Sequence, residues 1–322
     1  MKKFYETPVF EPGQDAESEQ YLQVFEAGNF DLGKIKAAIE QNQLVLVRGM
    51  PFEHAGDLFG QLVDHYDLRD SYDIQMQLVA HMMEDREAVD DVAVTVNERG
   101  PFQMIQSHAE GDSSSPLDLF GLHCRKNAVA GGENILSLVD QNADHSLLKA
   151  KEKAIVGRNL TPDNINDLRA EHLDAKDVLE TCDGAVRVLK ETGAGKVVVR
   201  TVPLRQEKSA ISGQDLYSHW DNVTVHDHAF HQHQHELLRH LGILNEAKGE
   251  HYEGYMHVEG DSDWAPADTR SGTPEQIANL YSCHILYKMQ ADDFLLFNNK
   301  AWSHAVNNWA PEEVRKLTAM YA

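Results

Sequence analysis

The sequence predicts a mainly β fold with flanking helices, built on a double-sheet jelly roll. Two observations carry this prediction. Short apolar or alternating runs recur along the chain and are split by turn residues, as at 44–47, 91–97, 117–125, 134–139 and 197–202. Helical spacing is confined to the first third and the middle. No internal repeat, low-complexity linker or composition break marks off a second domain. Residues 1–322 therefore read as one domain, with a lid or insertion expected at about 205–280.

Each element has its own reason. Residues 1–30 lack clear periodicity. Asp31 is placed to cap a helix with Leu32, Ile35 and Ile39 on one face. The run 44–47 is wholly apolar and ends at Arg48-Gly49, so it reads as a buried strand. Leu58, Phe59, Leu62, Val63 and Tyr66 recur at helical spacing over 54–66. Residues 98–101 and 111–116 read as turn and polar loop, and Gly131-Gly132 as a tight turn. Residues 140–192 read as mostly helical, with Pro162 starting one piece and Gly184 and Gly193 breaking it. The closing strands are expected at 283–289, 294–297, 302–306 and 317–321.

Composition excludes several classes. Of 322 residues, 42% are hydrophobic and 25% charged, ordinary values for a globular protein. No apolar run approaches a membrane span, and the start, MKKFYETPVFEPG, lacks the apolar stretch of a secretory signal. The formal charge of −23 repels nucleic acid and anionic lipid. Three dispersed cysteines, Cys124, Cys182 and Cys283, read as free thiols of a reducing cytoplasm.

The chemistry-bearing stretch is 104–139. His108 and Glu110 stand two apart, and side chains two apart on an extended strand point the same way. One imidazole and one carboxylate supply two ligands of a 2-His-1-carboxylate site, which holds Fe(II) on one face and leaves other positions open. A third ligand must come from a distant histidine, and His304 is the candidate. Asp112 shares the face of Glu110 if the strand continues; Gly111 argues that it stops. Seven histidines lie between His219 and His240. Of these, His219-Trp220-Asp221 is a competing His-x-Asp, and the rest read as a solvated or helix-face set rather than a second metal site. Trp302 and Trp309 flank His304 as core or wall.

In order along the chain, these residues resemble the Fe(II)/2-oxoglutarate-dependent dioxygenases of the taurine dioxygenase and clavaminate synthase group. The resemblance rests on His108-Ala109-Glu110, on Gly131-Gly132-Glu133-Asn134, and on His304 with Arg315 eleven residues later. Segments 38–52 (AIEQNQLVLVRGMPF), 195–203 (GKVVVRTVP) and 292–305 (DDFLLFNNKAWSHA) occur in the same order in that group.

The resemblance implies a double-stranded β-helix core of cupin-like kind and Fe(II) on His108, Glu110 and His304. It further implies that Arg315 grips the distal carboxylate of 2-oxoglutarate through two charge-assisted hydrogen bonds, with Asn134 a further donor to it. Dioxygen would be the oxidant, with succinate and CO2 released and a C–H bond oxidised, hydroxylation being the default. Related halogenases lack the carboxylate ligand, so Glu110 implies an oxygenase. Gln103, Gln106 and Arg125 neighbour the metal strand as substrate-facing candidates. The expected substrate is a small polar metabolite, such as an amino acid or biosynthetic intermediate, with no nucleic acid or membrane partner; a homo-oligomer stays open. Two rival readings stand beside this one: a non-haem iron oxygenase that does not use 2-oxoglutarate, and a non-enzymatic jelly-roll metal-binding protein using the histidine tract.

Overall fold

A computed structural model of the chain describes residues 7–74, 93–95, 105–111, 116–148, 152–157, 186–191, 194–200, 204–220, 224, 227–244, 264–266, 272–309 and 313–322. The first strands are β1 (Val9–Phe10), β2 (Leu22–Glu26), β3 (Leu44–Arg48), β4 (Val94–Thr95), β5 (Ile105–His108), β6 (Leu119–Lys126) and β7 (Asn134–Val139). They are followed by β8 (Glu152–Gly157), β9 (Val186–Glu191), β10 (Ala194–Arg200), β11 (Gln206–Lys208), β12 (Asp215–Tyr217) and β13 (Trp264–Pro266). The closing strands are β14 (Tyr281–Tyr287), β15 (Phe294–Asn298), β16 (Trp302–Val306) and β17 (Lys316–Tyr321). Helices are α1 (Leu32–Glu40), α2 (Phe52–His65), α3 (His228–His240) and α4 (Pro274–Ala278).

Two sheets form the centre. One runs β1-β14-β7-β16-β5, the other β2-β3-β15-β6-β17-β4. Leu136, Ile285 and Trp302 of the first share one buried apolar cluster with Leu46, Phe120, Leu295 and Tyr321 of the second, so the sheets face each other. Strand alternation sends the intervening residues outward. On the second sheet Val45, Val47, Phe294 and Met320 meet Ile35 and Ile39 of α1 and Phe59 and Leu62 of α2. With both faces covered, β3 is apolar at every position from Leu44 to Val47. Each such fully buried side chain contributes about 1.5–3 kcal/mol.

The first sheet is backed by α3. Leu237 and Leu238 pack on Ile135, Leu286 and Ala305. Further along the same face, Phe230 joins Val139, Trp220 and Tyr281. Between these apolar clusters runs a polar seam in which His284 Nδ1 lies 2.8 Å from Ser137 Oγ, and Ser137 Oγ lies 3.2 Å from Ser107 Oγ. Part of the segment 205–280 is thus packed under the sheet that carries β5 and β16.

Local signals explain the helices. Asp31 caps α1 by accepting from Gly33 N and Lys34 N. Thr273 and Gln276 form a reciprocal capping box on α4.

Three expectations are corrected. Residues 22–26 form β2, a parallel neighbour of β3, where no periodicity was evident. Its LQVFE breaks strict alternation at Val24-Phe25 and its burial is partial, so the apolar signal is diluted. The expected helical stretch 140–192 contains strands β8 and β9, both paired with β10. Ile155, Val156, Val186 and Val188 are β-branched, and that preference outweighs the surrounding helix formers. Within the histidine tract, His228–His240 forms α3, and His231 and His233 on it are buried rather than solvated. Helix expected at 158–185, with Pro162 and Gly184, lies outside the described residues. No helix among the described residues is long and apolar enough to cross a membrane.

Candidate metal centre

Antiparallel pairing of β5 with β16 sets His304 directly opposite His108. Their ring centroids are 4.7 Å apart. Glu110 Oε1 lies 3.7 Å from His108 Nε2 and 3.5 Å from His304 Nε2, and all three side chains are largely buried. The ligand atoms lie within 4.8 Å of one another. Phe120 stacks on His304 with centroids 4.6 Å and planes 22° apart, holding the imidazole plane from behind.

Glu110 arrives differently from the sequence expectation. β5 stops at His108. Ala109 leaves the ladder, bridges to Trp220 and donates its N–H to His219 O at 2.7 Å. Gly111 follows with φ +85°, a turn conformation. Glu110 therefore meets His108 at a strand end rather than along a continuing strand.

The donor chemistry fits a non-haem Fe(II) ion: two imidazole nitrogens and one carboxylate oxygen converge from one side. Among the described residues, this is the group of three that brings metal-binding atoms together. His219 is elsewhere, fully buried with Nδ1 3.2 Å from Tyr281 OH. Asp112 lies outside the described residues.

Arg315 sits beside Asn134. Its Nη2 donates to Asn134 Oδ1 at 3.2 Å, and its guanidinium lies 5.1 Å from the centre of the Trp309 ring. Its Nε is buried and makes no hydrogen bond within the described protein. Burial pushes the guanidinium down to about 10, so it stays charged at neutral pH. Among the described residues no carboxylate forms an ion pair with it; Glu133, whose charge acts on it after that of Cys124, accepts from Asn307 Nδ2 at 2.7 Å. A buried cation with an unused donor is costly unless something pairs it. Asn134 pairs with Val306 and Leu136 with His304 in the β7–β16 register. Two residues of strand, roughly 7 Å, therefore separate the row of Asn134 from the row of His304.

The Gly131-Gly132 turn makes this approach possible. Both have positive φ, 82° and 75°, and a Cβ on Gly131 would lie 1.9 Å from Asn308 O. A Cβ on Gly132 would meet Asn127 Oδ1 at 2.5 Å and Arg315 Cδ at 3.4 Å.

Other candidates are not brought to this site. Arg125 is exposed, its guanidinium 4.4 Å from the centre of the Phe52 ring. Phe52 also meets His123, so Arg125 belongs to the α2 side of β6, away from Phe120 and Cys124. Gln106 lies in β5 with its side chain outside the described set, and Gln103 lies outside the described residues. Asn134 meets Arg315 as an acceptor. Sequence reasoning missed Phe120, whose alternation with Leu122 and Cys124 was the available signal. It also missed the buried ion pair Lys300–Asp118, 2.8 Å, one residue beyond Asn299. Trp302 is core, donating to Asn42 O at 2.7 Å, whereas Trp309 lies against Arg315.

No protein-family model matches the chain, and no curated protein matches it. Solved structures of related shape include a putative alpha-ketoglutarate-dependent 2,4-D dioxygenase from Burkholderia xenovorans. It is 10% identical over 94% of this chain and 93% of that one, with a TM-score of 0.39. Another is PvcB, an Fe, alpha-ketoglutarate-dependent oxygenase from an isonitrile synthetic pathway, at 12% identity over 97% and 84%, TM-score 0.40. A third is AAD-2 in complex with Mn(II) and N-oxalylglycine, at 11% identity over 94% of both chains, TM-score 0.38. These are distant likenesses.

Proposed function

We propose that the chain is an Fe(II)/2-oxoglutarate-dependent oxygenase on a jelly-roll core that oxidises a C–H bond of a small polar metabolite. One observation carries the reading: a two-histidine, one-carboxylate cluster shares the interior between two facing sheets with a buried arginine that has a donor to spare.

His108, Glu110 and His304 would hold the ion from one side. Fe(II), when bound, supplies the coupling of dioxygen reduction to decarboxylation of 2-oxoglutarate, giving succinate, CO2 and an oxidised substrate. Arg315 binds the distal carboxylate of 2-oxoglutarate, and Asn134 orients the guanidinium for it. A planar guanidinium meets a carboxylate through two parallel hydrogen bonds, which fixes direction as well as position. Phe120 and Phe297, with centroids 4.6 and 6.0 Å from the His304 ring, keep water from the rear of that ligand.

The test is succinate release from 2-oxoglutarate, Fe(II) and oxygen, screened over amino acids and other small polar metabolites. Stimulation by one compound class, lost in His304→Ala, is expected. Metal-dependent oxidation that proceeds without 2-oxoglutarate would move the chain to the 2-oxoglutarate-independent oxygenases.

A further inference from the structure

Glu110 has left the β5–β16 ladder, yet its peptide groups are satisfied. Its N–H donates to Asn299 Oδ1 at 3.1 Å, and its carbonyl accepts from Asn299 Nδ2 at 2.9 Å. The same Nδ2 donates to Leu117 O at 2.9 Å, and Asn299 N donates to Asp118 O at 2.8 Å. Asn299 is fully buried in the turn between β15 and β16. A primary carboxamide offers an acceptor oxygen and two donor hydrogens. Here it gives Glu110 the donor and acceptor that a neighbouring strand would otherwise give.

We propose that Asn299 is the positioning residue of the metal centre: gripping Glu110 at both N–H and C=O, it fixes the carboxylate relative to His304. The inference rests on reading His108, Glu110 and His304 as metal ligands. Asn299 stands five residues before His304, in the short turn that carries the chain from β15 in one sheet to β16 in the other, so one connection sets both the grip and the ligand. Glu110 and Leu117 flank 111–116, so one side chain joins both ends of that segment. Aspartate has the right size but would set an oxygen against the Glu110 and Leu117 carbonyls.

Asn298 shows what a merely structural neighbour looks like. Equally buried, it donates to Asn42 Oδ1 at 2.7 Å and Ser209 Oγ at 3.0 Å and makes no hydrogen bond to Glu110. Asn42 itself has φ 57°, so Asn42→Ala removes that acceptor and strains the backbone, loosening the turn from outside.

The experiment titrates Co(II) into the full-length apoprotein, following its visible absorption, for wild type, Asn299→Ala, Asn299→Asp and Asn42→Ala, with apoprotein Tm measured alongside. Asn299→Ala and Asn299→Asp are expected to weaken Co(II) binding about 10–100-fold, as loss of outer partners of metal ligands does, and to alter the ligand-field bands. Asn42→Ala is expected to lower Tm and keep the wild-type affinity and bands. Asn299→Asp keeps the side-chain volume, so it decides the matter should the alanine variant fail to fold. Wild-type affinity in the folded Asn299 variants overturns the proposal, as does equal weakening in Asn42→Ala. Wild-type protein that binds no Co(II), or that binds it unchanged in His108→Ala, instead overturns the metal-centre reading beneath it.

Discussion

His304 and His108 are direct partners across the β5–β16 ladder, with imidazole centroids 4.7 Å apart. The backbone register, rather than a loop, therefore sets the distance between the two imidazoles. A slip of one residue would turn one imidazole to the opposite face. β16 is held on its other edge by β7, where His304 pairs with Leu136, so the register is fixed from both sides.

Phe120 supports this arrangement by packing on the His304 ring. Phe120→Ala should cost about 3–5 kcal/mol of folding stability, the range for a buried aromatic. Denaturant unfolding of the apoprotein measures it. A loss under 1 kcal/mol would mean that the ring is not part of a close-packed wall.

Arg315 should be required for 2-oxoglutarate and not for iron. Leaving a buried carboxylate without its cation costs about 3–5 kcal/mol, or roughly two to four decades in affinity. Arg315→Leu should lose this much and Arg315→Lys less, because the charge remains and the fork does not. Anaerobic titration of the Fe(II)–2-oxoglutarate absorbance measures it. Equal affinities in all three proteins would remove Arg315 from the co-substrate site.

Lys300 and Asp118 form a buried pair at 2.8 Å, with Lys300 Nζ also donating to Lys208 O at 2.9 Å and Asp118 Oδ1 accepting from Ala210 N at 2.7 Å. Lys300→Met should cost about 3–5 kcal/mol by stranding the carboxylate, and adding Asp118→Asn should recover part of it. Additive losses in the double variant would show that the two charges are not coupled.

Acid should loosen the seam between α3 and the first sheet. Burial pushes His284 down to about 4, and His233, packed 5.4 Å away centroid to centroid, well below its usual value. Both imidazoles are neutral in the fold. The unfolded chain takes up protons first, near pH 6.5, so stability falls as pH drops from about 6.5 toward 4. For His284 alone the full loss is roughly 3 kcal/mol. Tyr281, whose ring centroid lies 5.2 Å from that of His284, and Ser137, at 2.8 Å, also border His284. Unfolding free energies between pH 7.5 and 4.5 should show a shallower slope in His284→Gln than in wild type. Parallel slopes would contradict the assignment.

Much of the fold was legible because the central sheets are covered on both faces. Continuous apolar runs such as 44–47 and 294–297 admit few readings, and Asp31 and the Gly131-Gly132 turn carry their own stereochemistry. β2, β8 and β9 were not legible, since edge strands and strands of a small separate sheet carry weaker apolar patterns. Residue type singled out His108, Glu110 and His304, which the fold brings within 4.8 Å of one another, and Arg315. What residue type cannot give is a partner far along the chain. Asn299 acts on Glu110 across 189 positions, and Phe120 is a wall only because β6 and β16 lie in facing sheets. Arg125 failed for the same reason: proximity in sequence to the metal strand did not decide which face of β6 it occupies.

On the proposed reading, His108, Glu110 and His304 hold one metal ion. Anaerobic equilibrium dialysis against Fe(II), followed by metal analysis, tests it most directly in wild type, His108→Ala, Glu110→Ala, His304→Ala and His219→Ala. One Fe(II) per chain is expected in wild type and His219→Ala, and loss of tight binding in both His108→Ala and His304→Ala. Stoichiometric iron retained by those two variants, with iron lost from His219→Ala, would contradict it.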